Sequence, residues 1–124
     1  MKRDMDLVRE LLKQAESQPP NVPLYSKSIA VSGYDHDTIR AHIDLLGQAG
    51  LVVATSPPDG MAVVRSLTWQ GHEFLEAVRN DQVWATTKRT IRSRGLDLTF
   101  DLVKGVASSV ATSMMRSALG LTPG

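Results

Sequence analysis

The side chains able to do chemistry are few and scattered. His72 and Glu76 stand four positions apart, one helical turn, and His36 lies between Asp35 and Asp37. These are metal-ligand residue types, yet a metal site needs three or four ligands converging, and His72-Glu73-Phe74 lacks the second histidine of an H-E-x-x-H pair. With no cysteine there is no thiolate ligand, no disulfide and no cysteine nucleophile. No spacing assembles a nucleophile, a base and an orienting group. His42 falls on an apolar helix face, where a hydrogen-bonded core histidine is expected. The residues read as a chain that is not an enzyme and holds no metal or cofactor.

Cations are the more informative group. Lys88, Arg89, Arg92 and Arg94 follow one another closely, with Arg79 before them and Asp81 as the nearby acid. Such a run is either the solvated face of a helix or a surface for phosphates. Arg40 and Arg65 are the other candidates for contact with nucleic acid, Arg40 being able to grip a guanine edge through two hydrogen bonds. Against this, the outward positions of the helix that carries Arg40 are Asp37, Arg40, Ala41, Asp44 and Gln48. Two carboxylates beside one guanidinium repel a polyanion, at about 4 kcal/mol per close unit-charge pair near a protein surface before screening. Trp69 and Trp84 begin helices beside apolar positions and are expected as core anchors that fasten the C-terminal helices to the preceding strands. Only Trp84, near Lys88, approaches the pattern of a base-stacking platform.

The elements that hold these residues can be read in order. Fourteen basic and 13 acidic side chains give a net charge of +1 over 124 residues, so there is no global pull towards nucleic acid or anionic lipid. The N-terminus is charged from its second residue, and no apolar run is long enough to span a membrane, which makes a cytoplasmic protein the plain expectation. Leu7, Val8, Leu11, Leu12 and Ala15 recur at helical spacing after Asp4, with Arg9, Glu10, Lys13 and Gln14 opposite, and Pro19, Pro20 and Pro23 end that helix. The segment from Tyr25 to Gly33 alternates like a short strand. Asp35 caps a central helix whose buried stripe is Ile39, His42, Ile43, Leu46 and Ala49, closed by Gly50. Strands over Leu51 to Thr55 and Met61 to Leu67 flank a Ser56-Pro57-Pro58-Asp59-Gly60 tip. Thr68 caps a helix that turns Phe74, Leu75 and Val78 inward. Another helix starts near Asp81, buries Val83, Trp84, Thr87 and Ile91, and ends at Gly95. Thr99 caps the last one, which runs to about Leu119.

The opening MKRDMDLVRELL, the segment GYDHDTIRAHIDLLGQAGL and LTWQGHEFLEAVRNDQVWATTK resemble a family of small bacterial and prophage proteins known as a domain of unknown function. The resemblance runs from Met1 to about Val106. Its most specific part is LTWQGHEFL with a second tryptophan fifteen residues after Trp69. The resemblance implies a winged-helix-like fold and a mobile-element or host-defence context, and it implies no reaction. One departure stands out. Winged-helix regulators place a complete helix before the recognition helix, whereas Pro19 to Gly33 is expected to hold only a strand.

The expected fold is therefore α+β, mainly helical with a small antiparallel sheet. It comprises a winged-helix-like domain over residues 1–95 and a C-terminal amphipathic helix over 96–120. Val103, Val106, Val110 and Met114 form a stripe on that helix, suited either to docking on the body or to a homodimer. Two functions follow from different classes. One is a DNA-binding regulator of phage or prophage type, gripping duplex DNA through Arg40, Arg65, Lys88, Arg89, Arg92 and Arg94. The other is a non-catalytic adaptor that binds a protein partner through its acidic central helix or its C-terminal helix.

Overall fold

Asp4 opens the first helix as a true N-cap: its Oδ1 accepts from the backbone amides of Asp6 and Leu7, two donors that the first turn cannot satisfy itself. In the computed structural model, which describes residues 1–120, the elements are α1 (Met5–Glu16), β1 (Leu24–Tyr25), a 3₁₀ turn (Ser26–Ser28), α2 (His36–Gln48), β2 (Val52–Thr55), β3 (Val63–Leu67), α3 (Trp69–Val78), α4 (Asp81–Ser93) and α5 (Phe100–Ala118). The strands form one antiparallel sheet in the order β1-β3-β2. Five helices with one small antiparallel sheet make the α+β class read from the sequence. The chain forms two compact units, Met1–Leu75 and Glu76–Gly124. The expected division after residue 95 falls inside the second unit, because α4 and α5 pack on each other.

In the first unit α1 packs on α2 and β3, while α2 packs on β2. Leu7, Leu12, Ile39, Ile43, Phe74 and Leu75 are all but inaccessible to solvent, so the hairpin shares its apolar centre with the helices on either side of it. Two expectations fail here. Arg9 is buried, because it neighbours Met5 and Leu12 on the helical wheel at the rim of a buried arc of about 200°. Ala49 is exposed, since α2 has already reached its C-cap there, and Gly50 (φ 74°) turns the chain so that Leu51 N–H donates to the Leu46 carbonyl.

The strand expected from Tyr25 to Gly33 is also corrected. β1 holds only Leu24 and Tyr25, and the ladder to β3 ends at Ser26. Ser26 N–H donates to the Ala62 carbonyl at 2.9 Å, but Ala62 N–H is taken by the Ser26 hydroxyl at 3.0 Å in place of the serine's carbonyl. That carbonyl instead accepts from Ile29 N–H and closes a 3₁₀ turn. The helix missing before α2 is thus reduced to one turn.

α3 begins in an interlock. Thr68 Oγ1 donates to the Gly50 carbonyl at 2.6 Å and accepts from Gly71 N–H at 3.0 Å, while Thr68 N–H donates to the Leu51 carbonyl. The helix presses so closely on the start of β2 that a Cβ at position 71 would lie 2.0 Å from the Leu51 carbonyl oxygen. Here glycine is required by contact. In the second unit, Asn80 caps α4 through Gln82 and Val83, and Thr99 caps α5 through Leu102. α4 buries Val83, Trp84, Thr87 and Ile91, and α5 buries Val103 and Ala107.

Candidate nucleic-acid interface

The burial of Val83, Trp84, Thr87 and Ile91 fixes what the other face of α4 can present. At about 100° per residue, Lys88, Arg92 and Arg89 fan over an arc of about 100° pointing away from that buried face. Arg89 and Arg92 are exposed, and Arg94 sits at the C-cap, followed by Gly95 at φ 71°. Lys88 is half-buried, with its Nζ over the indole of Trp84 at 5.4 Å from the ring centroid. Trp84 itself is buried, so it supports a cation and offers no face to a base. Arg89 reaches Thr86 Oγ1 at 3.4 Å. Asp81, in the first turn of α4, lies on the same side of the helix as Lys88.

Arg40 and Arg65 belong to the first unit. Arg40 is half-buried, and its Nε is a buried donor without a partner, so only the end of its guanidinium is presented to solvent. Arg65 is exposed for a backbone reason. Val53 pairs with Ser66 and Ala54 with Val64, which leaves Arg65 as the extra residue of a β-bulge. The surroundings are acidic. Asp37 is 99 % exposed, Asp44 accepts from the Ser56 hydroxyl, and Asp59 at the tip accepts from Met61 N–H at 3.0 Å. A shallow groove between α2 and β2 is lined by Asp44, Gln48, Val53, Ala54 and Ser56.

The structure brings together one constellation that spacing did not suggest. Ser26 Oγ lies 3.1 Å from His36 Nε2, and His36 Nδ1 lies 3.9 Å from Asp37 Oδ1. Ser26 is fully buried and already engaged by Ala62 N–H, while Asp37 is beyond hydrogen-bond distance. A serine nucleophile needs an open face and an oriented base, and this one has neither; it ties the 3₁₀ turn to the start of α2. His42 is the buried core histidine expected. Asp4 N–H donates to its Nε2 and its Nδ1 donates to the Thr38 carbonyl, both at 2.9 Å, a pairing that assigns the Nδ1–H tautomer. The second oxygen of Asp4 accepts from the Tyr34 hydroxyl at 2.5 Å, and this bond pushes the phenol up to about 12. Hydrogen bonds from Thr38, its side chain first, hold Asp35 below the usual carboxylate range. Among the described residues no three His, Asp or Glu side chains converge as a metal site would require.

Two expected contact residues move. Trp69, read as a core anchor, is 77 % exposed: Thr68 and Gly71 turn inward in the interlock, which leaves Trp69 and Gln70 between them on the outer side. Val103, expected in a homodimer stripe, is fully buried within its own chain, while Val106, Val110 and Met114 are half-buried and Met115 and Leu119 exposed. No helix among the described residues is long and apolar enough to cross a membrane.

A helical, small-sheet chain with a cationic helix and an acidic hairpin unit is a class shared by many proteins, and comparison places it further. Residues 2–97 match the family described as "Hypothetical protein (DUF2513)". The chain belongs to that family. It is 40 % identical over 118 residues to a protein of Haemophilus influenzae named "Uncharacterized protein", covering 93 % of this chain and 99 % of that one. No solved structure matches.

Proposed function

We propose that the chain is a non-catalytic, cytoplasmic DNA-binding regulator of phage or mobile-element type, built on a winged-helix-like scaffold, and that α4 grips the DNA backbone. The observation that carries this is the fan of Lys88, Arg89 and Arg92 with Arg94 at the cap, set on a rigid capped helix. Phosphate contacts supply most of the affinity of such binders, and they need cations on a fixed frame. Arg40 and Arg65 contribute at the margin, one half-buried and the other on the bulge. A two-fold contact in such a regulator falls to Val110, Met114, Met115 and Leu119, since Val103 is taken up by the chain's own packing.

The test is binding to mixed-sequence duplex DNA across a salt series. Affinity should fall steeply with salt, and replacing Lys88, Arg89, Arg92 and Arg94 with alanine should flatten the log–log slope by about one unit for each phosphate no longer neutralised. Absence of binding at low salt sinks the reading. A second reading, a protein-binding adaptor, is favoured by one observation. Asp37, Asp44 and Asp59 occupy the helix and tip where a winged-helix DNA binder presents cations.

A further inference from the structure

We propose that the outward ridge of α3, Trp69 with Glu73 one turn further on, is a docking surface for a basic segment of another protein. Tryptophan is on average among the more buried residues of folded proteins, and Trp69, at 77 %, is the most exposed large hydrophobic side chain among the described residues. Its placement is not a loose end. Gly71, Phe74 and Leu75 form the buried side of α3, and Trp69 and Glu73 lie opposite that side. The Thr68–Gly50 and Gly71–Thr68 bonds, with the Leu51 carbonyl against Gly71, prevent α3 from rolling to cover the indole. A tryptophan held outward on a locked helix end is pre-organised. It brings a wide apolar contact with only two side-chain torsions to fix, which is why tryptophan dominates binding hot spots.

Charge selects the partner. Along α3 as far as Leu75 the ionisable side chains are His72 and Glu73, and His72 leans 4.0 Å from the Glu16 carboxylate. The first unit carries nine acidic side chains and seven basic ones, of which Arg9 is buried, Arg40 half-buried and Lys13 paired with Glu10. An arginine or lysine laid over the indole gains the ring's quadrupole on one side and the Glu73 carboxylate on the other, and no cation of the chain's own described residues stands over that ring. Nucleic acid fits this face poorly, because its phosphates would meet the Glu73 carboxylate. This docking does not depend on the cations of α4.

The test uses the full chain and an oligo-arginine peptide, read by the indole N–H resonances in two-dimensional NMR, with Trp69→Phe to assign them. The Trp69 signal should shift saturably with peptide. Trp69→Ala should weaken binding about tenfold and Glu73→Gln about threefold at fixed salt, both positions being exposed and neither needed for folding. An unmoved Trp69 signal, or equal affinity in Trp69→Ala, overturns the proposal. So does a shift produced by duplex DNA and not by the peptide. A fall from dimer to monomer mass in Trp69→Ala would make a second copy the occupant and overturn it likewise.

Discussion

The two units of this chain are each held together by a different kind of contact. In Met1–Leu75 the polar groups reach far along the sequence: Asp4 to His42, Tyr34 to Asp4, Ser26 to Ala62, Thr68 to Gly50. Each joins two elements and satisfies a donor that burial would otherwise strand. In the second unit the polar contacts at Asn80, Thr99, Ser108 and Thr112 close on residues two to four positions away, and a buried hydroxyl, Thr87 Oγ1, has no partner. Charge divides along the same line. The first unit is net acidic, and the second has seven basic side chains against four acidic. One unit is a locked scaffold with a carboxylate-rich surface; the other is a helical pair that presents cations.

That contrast can be broken at its strongest point first. Gly71→Ala drives a methyl into the Leu51 carbonyl, and the first unit should lose about 3 kcal/mol or more, read as a lowered urea midpoint. A loss under about 1 kcal/mol would mean that the interlock yields easily. The next largest effect is at Tyr34. Because its bond to Asp4 raises the phenol to about 12 from 10.0, the folded chain holds that proton more tightly than the unfolded one. The stabilisation is complete below pH 10.0 and is lost as pH rises through that value towards about 12. Tyr34→Phe should cost about 1–2 kcal/mol at neutral pH and remove that alkaline decline. Parallel alkaline declines in parent and variant would show the bond to be absent in solution. The smallest effect has the opposite sign: Thr87→Val keeps the shape, removes an unsatisfied hydroxyl and should raise stability by about 1 kcal/mol in the second unit.

Local signals in the sequence carried far. Asp4, Asp35, Thr68 and Thr99 cap helices where a short polar side chain precedes an apolar stripe, and the proline-glycine tip marks the hairpin. What stayed hidden depends on distant partners. Trp69 has the neighbours of a core residue, and only the approach of Gly71 to Leu51 shows which way it must turn. Likewise, nothing near Ser26 announces that its hydroxyl will replace its carbonyl in a ladder to residue 62. Of the site, the cationic run was readable because helix spacing alone sorts it. The half-burial of Arg40 was not, since it rests on what packs against α2.

The β-bulge at Arg65 has a consequence for how copies of this chain meet one another. β2 is an outer strand of the sheet, only four residues long, and beyond it lies a tip containing Pro57 and Pro58. Its neighbour loses register halfway along, which twists that margin out of plane. An incoming strand would find an edge only four residues long and bent, which disfavours growth by edge-to-edge stacking.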